Sequence, residues 1–209
     1  MSTDELLHIR YSLERALSGE PDDSQLDVWW AMLRRGVTGT DDITWVEIGM
    51  ATLYGLDPYR NSLVGESPFD VADAHSADVA HYYEHVFDAR GELLADVVEL
   101  FEWPPNCALF LDDVRVDPEF RRRGYGSLLV ADALLTLATH GTAVFAHPGP
   151  TDLGSGSEDE VSRLRSETQN TRFLGALGFA PFRDRLWTLD LATEAAIERL
   201  AAIRRGGPA

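Results

Sequence analysis

Along the 209-residue chain the spacing of hydrophobic and polar positions changes several times, and each change marks an element. The clearest early signal is Ile43–Leu56. There Ile48, Met50, Thr52, Tyr54 and Leu56 alternate with a second set, the period-two pattern of a strand. Asp57 and Pro58 end it, and Leu63, Val64 and Gly65 suit another short strand before Pro68. Before residue 40 the pattern is harder to read. Residues 6–17 and 26–33 carry apolar side chains that fit neither the helical nor the strand period. Gly19, Pro21, Asp22, Asp23 and Ser24 read as a loop between them. Trp29 and Trp30 are expected to anchor in the core, and Gly36, Gly39, Asp41 and Asp42 to punctuate the chain.

Residues 70–101 read as one or two helices. Asp73 or Ser76 is suited to an N-cap, and Val79, Tyr82, Tyr83 and Val86 fall at helical spacing. Gly91 breaks the run, and Leu93, Leu94, Val97, Val98 and Phe101 form a second apolar stripe stopped by Trp103, Pro104 and Pro105. The spacing then predicts a strand over 108–116, a helix over 126–139 closed by Gly141, and a buried strand over 142–146. Residues 148–160, rich in Gly, Ser, Pro and acids, read as a mobile loop. A helix over 161–177 stops at Gly178, 179–191 carries a strand, and 192–205 is a terminal helix before a frayed tail. With no repeat and no linker, the chain is expected to form one domain over 1–209.

The junction of strand and helix in mid-chain carries the chemistry. Val114 and Val116 lead into Pro118, which cannot donate to a sheet ladder. Arg121, Arg122 and Arg123 follow, then Gly124, Tyr125, Gly126 and Ser127 at the helix start. A helix N-terminus collects unpaired amides and the positive dipole end, glycines admit a ligand to the main chain, and arginines add forked donors. This is an anion-binding turn. The phosphate loop of nucleotide hydrolases requires a different spacing followed by Lys-Ser/Thr. The dinucleotide fingerprint requires a glycine where Leu129 stands.

Val116, Pro118, Arg121, Gly124 and Gly126, spaced as V-x-P-x-x-R-x-x-G-x-G, resemble the acyl-CoA-binding motif of the GNAT superfamily of N-acetyltransferases. The segment from Thr171 to Phe179, ending in L-G-F, resembles that family's second signature, and the order of elements over 43–191 is similar to its fold. The resemblance implies an α/β (α+β) fold with a mixed, mostly antiparallel sheet flanked by helices. The acyl-CoA-binding core would cover about 105–191, with a divergent N-terminal part over 1–104 and the C-terminal helix over 192–205. It implies acetyl-CoA as cosubstrate, held by Val114, Val116, Arg121, Arg122, Arg123, Gly124, Tyr125, Gly126 and Ser127, with Asn170 on the CoA arm. A strand bulge near Val114 and Val116 would donate to the thioester.

Acetyl transfer requires an amine stripped of its proton, a polarised thioester carbonyl and a stabilised thiolate. Asp112 shares strand parity with Val114 and Val116, and four residues before Val116 some family members carry a proton-relaying histidine. Asp112 is therefore the first candidate base, with a strand-end ion pair as its alternative reading; Asp113 would face the other way. His147, whose intrinsic pKa is near neutral, is the second candidate. The family's frequent general-acid tyrosine is replaced by Leu174, which leaves Tyr125 or Tyr54, an unassisted thiolate, or weak catalysis. A non-catalytic acyl-CoA-binding regulatory module is therefore the alternative to an acetyltransferase.

Composition limits the rest. A net charge of -17 argues against nucleic acid, whose affinity depends on neutralising phosphates, and suits a cationic amine acceptor. No window approaches the roughly 18 apolar residues of a membrane span. The acidic N-terminus has no signal-peptide pattern, and the single cysteine, Cys107, allows no internal disulfide. A cytoplasmic protein without membrane attachment is expected, and a homodimer is compatible with it. His81, Glu84 and His85 match H-x-x-E-H, the inverted zinc-peptidase pattern, with His75 nearby and Glu158 or Glu160 as further acids. Both histidines fall opposite the apolar arc of Val79, Tyr82, Tyr83 and Val86, so a solvated polar face is expected there, and no metal.

Overall fold

In the computed structural model, which describes residues 6–14, 26–38, 42–57, 77–139, 141–148 and 160–206, seven strands share one sheet. The strands β1 (Leu7–Glu14), β2 (Asp27–Thr38) and β3 (Ile43–Leu56) pair antiparallel in chain order. β4 (Cys107–Val116) lies antiparallel to β3, and β5 (Thr142–Ala146) lies parallel to β4. The far edge is a hairpin of β6 (Ala180–Pro181) and β7 (Trp187–Asp190), with β7 antiparallel to β5. The expected mixed, mostly antiparallel sheet is the one observed.

Five α-helices are described: α1 (Ala77–Val86), α2 (Ala95–Val98), α3 (Tyr125–Leu137), α4 (Glu160–Leu177) and α5 (Glu194–Gly206). The sheet separates two cores. Leu129 and Leu134 of α3, Leu177 of α4 and Leu200 of α5 pack with Leu33, Leu53, Leu111 and Val144. Val79, Tyr82, Tyr83 and Val86 of α1 and Val97 of α2 pack with Phe110 and Phe145. The helical spacing of the α1 quartet thus selected the buried face correctly. β5, an interior strand covered on both faces, is buried at all five positions.

The N-terminal third begins with two strands: β1, whose Leu7, Ile9 and Tyr11 alternate with polar residues and pack on one core, and β2, whose pattern conceals it. Around β2, Leu26 joins the core on the α1 side while Ala31 and Leu33 join the core on the α3 side. Burial on both faces erases the alternation that marks a half-solvated strand. Gly36 lies inside β2 instead of punctuating it, and Trp29 and Trp30 are only half-buried. The second stripe of 93–101 yields only the short α2, because Leu93 bridges Phe87 and the Leu94 amide donates to the Val86 carbonyl. The strand expected over 179–191 is broken by a tight turn at Asp184 and Arg185, both at positive φ. Gly178, at φ +104, caps α4: its own amide and that of Phe179 donate to the Leu174 carbonyl. The expected loop at 19–24, strand at 63–65 and caps at Asp73 or Ser76 lie outside the described residues, as does most of the loop at 148–160.

Candidate functional site

β4 and β5 stay paired from Cys107 with Thr142 as far as Leu111 with Ala146. Beyond that point β4 runs on to Val116 while β5 ends, so the two strands part. At the same place β4 carries a bulge: Thr52 of β3 pairs with Asp113 and Leu53 with Leu111, which makes Asp112 the extra residue. A bulge re-aims the backbone and side chains around it.

After β4 the chain makes a 3₁₀ turn over Pro118–Phe120, whose ring at Phe120 is buried. Arg122 (φ 64) and Gly124 (φ 85) then take left-handed conformations on either side of Arg123. Gly124 is the N-cap of α3, and the Leu128 amide makes the first intrahelical bond to its carbonyl. The amides of Gly126 and Ser127 precede that bond and lie at the positive end of the helix dipole. A Cβ at Gly126 would meet Val116, Val114 and Phe173 at 3.6–3.8 Å, so the helix start rests directly on the end of β4.

These elements enclose a cleft of about 870 Å³. Of the residues singled out from the sequence, Asp112, Val114, Val116, Arg121, Arg122, Gly124, Tyr125, Gly126, Ser127, His147 and Asn170 all line it. Arg123 does not: its guanidinium stands 6.0 Å from the centre of the Phe120 ring. Arg121 is held in the turn by a 2.8 Å bond from its Nε to the Val116 carbonyl. Leu174 also borders the cleft and is buried. Of the two alternative acids, Tyr125 lines the cleft, whereas Tyr54 packs against the core on the α1 side.

The parity argument for Asp112 does not survive the bulge. Leu111 and Val114, three residues apart, pack into the same core, so alternation is reset between them. Asp112 reaches the cleft because of the bulge, and Asp113 borders it as well. Asp113 is buried, with the Arg115 Nε 2.5 Å from its Oδ2. Of one wall only Asn170 was read from the sequence. Ser166, Gln169, Asn170 and Phe173 present one face of α4 to the cleft. Their 3–4 residue spacing was legible, but a mostly polar face carries no hydrophobic signal.

Cys107 stands at the opposite end of β4, its Sγ 3.3 Å from the Thr142 hydroxyl, away from the cleft. On α1 the two histidines face away from the buried quartet, as expected, but the face is a seam. His85 Nε2 lies 3.1 Å from Asp184 Oδ2, and the His81 ring centre is 6.3 Å from that of His147. Of the acids considered with them, Glu158 lies outside the described residues and so does the Glu160 side chain. Among the described residues no helix is long and apolar enough to cross a membrane.

Residues 93–157, which span α2, β4, the glycine turn, α3 and β5, match the family model described as FR47-like protein. No curated protein and no solved structure matches the chain.

Proposed function

We propose, from the FR47-like match at residues 93–157 and the GNAT-like order of elements around it, that the chain transfers an acetyl group from acetyl-CoA to an amine. The observation that carries this reading is the meeting of strand splay, bulge and helix start in a single cleft. The Gly126 and Ser127 amides and the Arg121 and Arg122 side chains suit the pyrophosphate. The open edge of β4 beyond Leu111 offers main-chain groups to the pantetheine arm, in the manner of an added strand.

The thioester would then lie beside the bulge. The neutral amine attacks its carbonyl carbon, the oxygen gathers charge against backbone donors, and the C–S bond breaks to release CoA thiolate. The amine proton leaves to Asp112 or His147, directly or through water, and the thiolate takes up a proton from solvent or from Tyr125. Asp112 at the cleft favours an acceptor that arrives as a cation.

Leu174 supports a second reading. A buried leucine occupies the position where the resembled family often carries its acid, which suits a module that binds acyl-CoA without turning it over. Incubating the chain with acetyl-CoA and an amine library, with binding and free thiol measured separately, decides between the two. Binding with thiol release supports the enzyme, binding alone supports the module, and no binding refutes both. Ser127→Glu tests the loop itself. An acid in the first turn of a helix is neutral to stabilising, by about 0.3–1 kcal/mol, but it would repel a pyrophosphate. Undiminished stability with acetyl-CoA affinity down at least about tenfold (about 1.4 kcal/mol) is expected; unchanged affinity overturns the assignment.

A further inference from the structure

We propose that α1 and the β6–β7 hairpin form a divalent transition-metal site, with His85 and Asp184 at its centre and His81 and Glu84 completing the donor set. The inference is independent of the acyl donor and reverses the expectation of a merely solvated helix face.

The histidine at the centre is oriented as a ligand. His85 Nδ1 lies 2.8 Å from the His81 carbonyl oxygen of its own helix, where a ring N–H donates. In the neutral ring that proton placement leaves Nε2 with its lone pair. A ligating histidine commonly donates its other N–H to a backbone carbonyl in this way, which fixes tautomer and ring orientation. Nε2 then faces Asp184 Oδ2 at 3.1 Å. Two lone-pair atoms at that distance require a cation between them, either a proton or a metal ion. The separation also suits two neighbours on one tetrahedral ion, since bonds of about 2.0–2.1 Å put such ligands roughly 3.3 Å apart.

Two further donors stand within reach. The ligating atoms of His81, Glu84 and His85 lie within 4.8 Å of one another, and the His81 and His85 ring centres are 4.3 Å apart. Positions i, i+3 and i+4 share one face of a helix, so small rotamer changes would bring all three onto one ion. Imidazoles with carboxylates suit zinc, cobalt or nickel better than calcium, which takes oxygen ligands.

The hairpin is built to hold its carboxylate there. Asp184 (φ 43) and Arg185 (φ 68) are consecutive left-handed residues, the geometry of a two-residue hairpin turn. The turn is closed by the Leu186 amide on the Arg183 carbonyl at 2.6 Å. On either side of Asp184, Arg183 pairs with Asp96 of α2 and Arg185 with Glu167 of α4. Asp184 itself remains accessible, so an ion can enter and water can complete its shell.

The full chain, stripped with a chelator, would be titrated with Zn²⁺ by calorimetry and with Co²⁺ by visible absorption. One equivalent should bind at micromolar concentration or tighter, and Co²⁺ should give the intense bands of a four-coordinate ion. His85→Gln and Asp184→Asn should each weaken binding at least about tenfold, in line with the 10–100-fold cost of disturbing a metal's surroundings. His81→Gln and Glu84→Gln should weaken it less. All four positions lie outside the cores, and circular dichroism checks that the variants are folded. Absence of saturable binding, or binding unchanged in both His85→Gln and Asp184→Asn, overturns the proposal and leaves a proton in the gap, as an imidazolium–carboxylate pair.

Discussion

The Nε of Arg121 donates to the main-chain carbonyl of Val116 at 2.8 Å, tying the basic turn back onto the strand that precedes it. Arg121 is therefore both a charge on the cleft and a brace for its rim, while Arg123 lies over the Phe120 ring and does not line the cleft. Arg121 and Arg123 should separate on mutation. Arg121→Lys keeps the charge but loses the fixed Nε donor, so acetyl-CoA affinity should fall several-fold. Arg121→Ala should cost more than Arg121→Lys, about tenfold or beyond, and Arg123→Ala less than about twofold. Equilibrium binding of acetyl-CoA measures all three. Equal losses at 121 and 123 would mean that only net charge matters.

Asp112 and His147 approach the same cleft from opposite sides of the β4–β5 splay. If one accepts the amine proton, replacing it with an amide that cannot take a proton should lower turnover at neutral pH by about 10²–10⁴-fold and leave acetyl-CoA affinity nearly unchanged. Asp112→Asn and His147→Gln, assayed for thiol release across pH, identify which one carries the proton. A wild-type pH–rate profile in Asp112→Asn acquits that residue. Equal and modest losses in both variants would point to acceptor binding instead.

Local signals in the sequence located the glycine turn, the α1 core face and the cap at Gly178, because each depends on residues close in the chain. β2 was obscured because its burial depends on partners above and below the sheet. β1 does alternate, with Leu7, Ile9 and Tyr11 on the core and His8 and Arg10 exposed, a period that was legible and passed over. The bulge at Asp112 was the costliest omission. It arises from the register between β3 and β4, which no spacing within 107–116 encodes, and it invalidates a parity count made across it. The α1 histidines show the same limit: their polar face was legible, but the approach of Asp184 from a hairpin a hundred residues on was not.

Tyr11 on the edge strand donates from its hydroxyl to Asp132 Oδ2 at 2.5 Å, and Arg204 Nε reaches Oδ1 of the same carboxylate at 2.6 Å. One buried aspartate thus joins β1, α3 and α5. Tyr11→Phe should cost about 1–2 kcal/mol, and Asp132→Ala about 2–3 kcal/mol because the hydroxyl then loses a charged acceptor. The double variant should fall short of the sum by about 1 kcal/mol or more. Denaturant unfolding of the two single variants and the double variant tests this, and strict additivity would mean that the 2.5 Å bond contributes little to stability.

Two tyrosines should also couple the stability of the fold to alkaline pH. Burial foremost, with the Asp88 charge adding to it, raises the Tyr83 hydroxyl from 10.0 to about 12. Burial likewise raises Tyr11, helped by its bond to Asp132. Each folded-state pKa lies above its unfolded value, so the neutral phenol is favoured by folding. The stability linked to Tyr83 is complete below pH 10 and is lost as pH climbs toward about 12, because the unfolded chain releases the proton first. The denaturant midpoint of the wild-type chain should therefore drop across that interval. Tyr83→Phe should start from a midpoint set by the loss of its 3.4 Å contact with the Asp88 carbonyl, and then fall less steeply with pH. Tyrosinate absorbance should appear in the folded protein later than in the unfolded chain. A slope unaltered by Tyr83→Phe and Tyr11→Phe together would assign the alkaline transition to other groups.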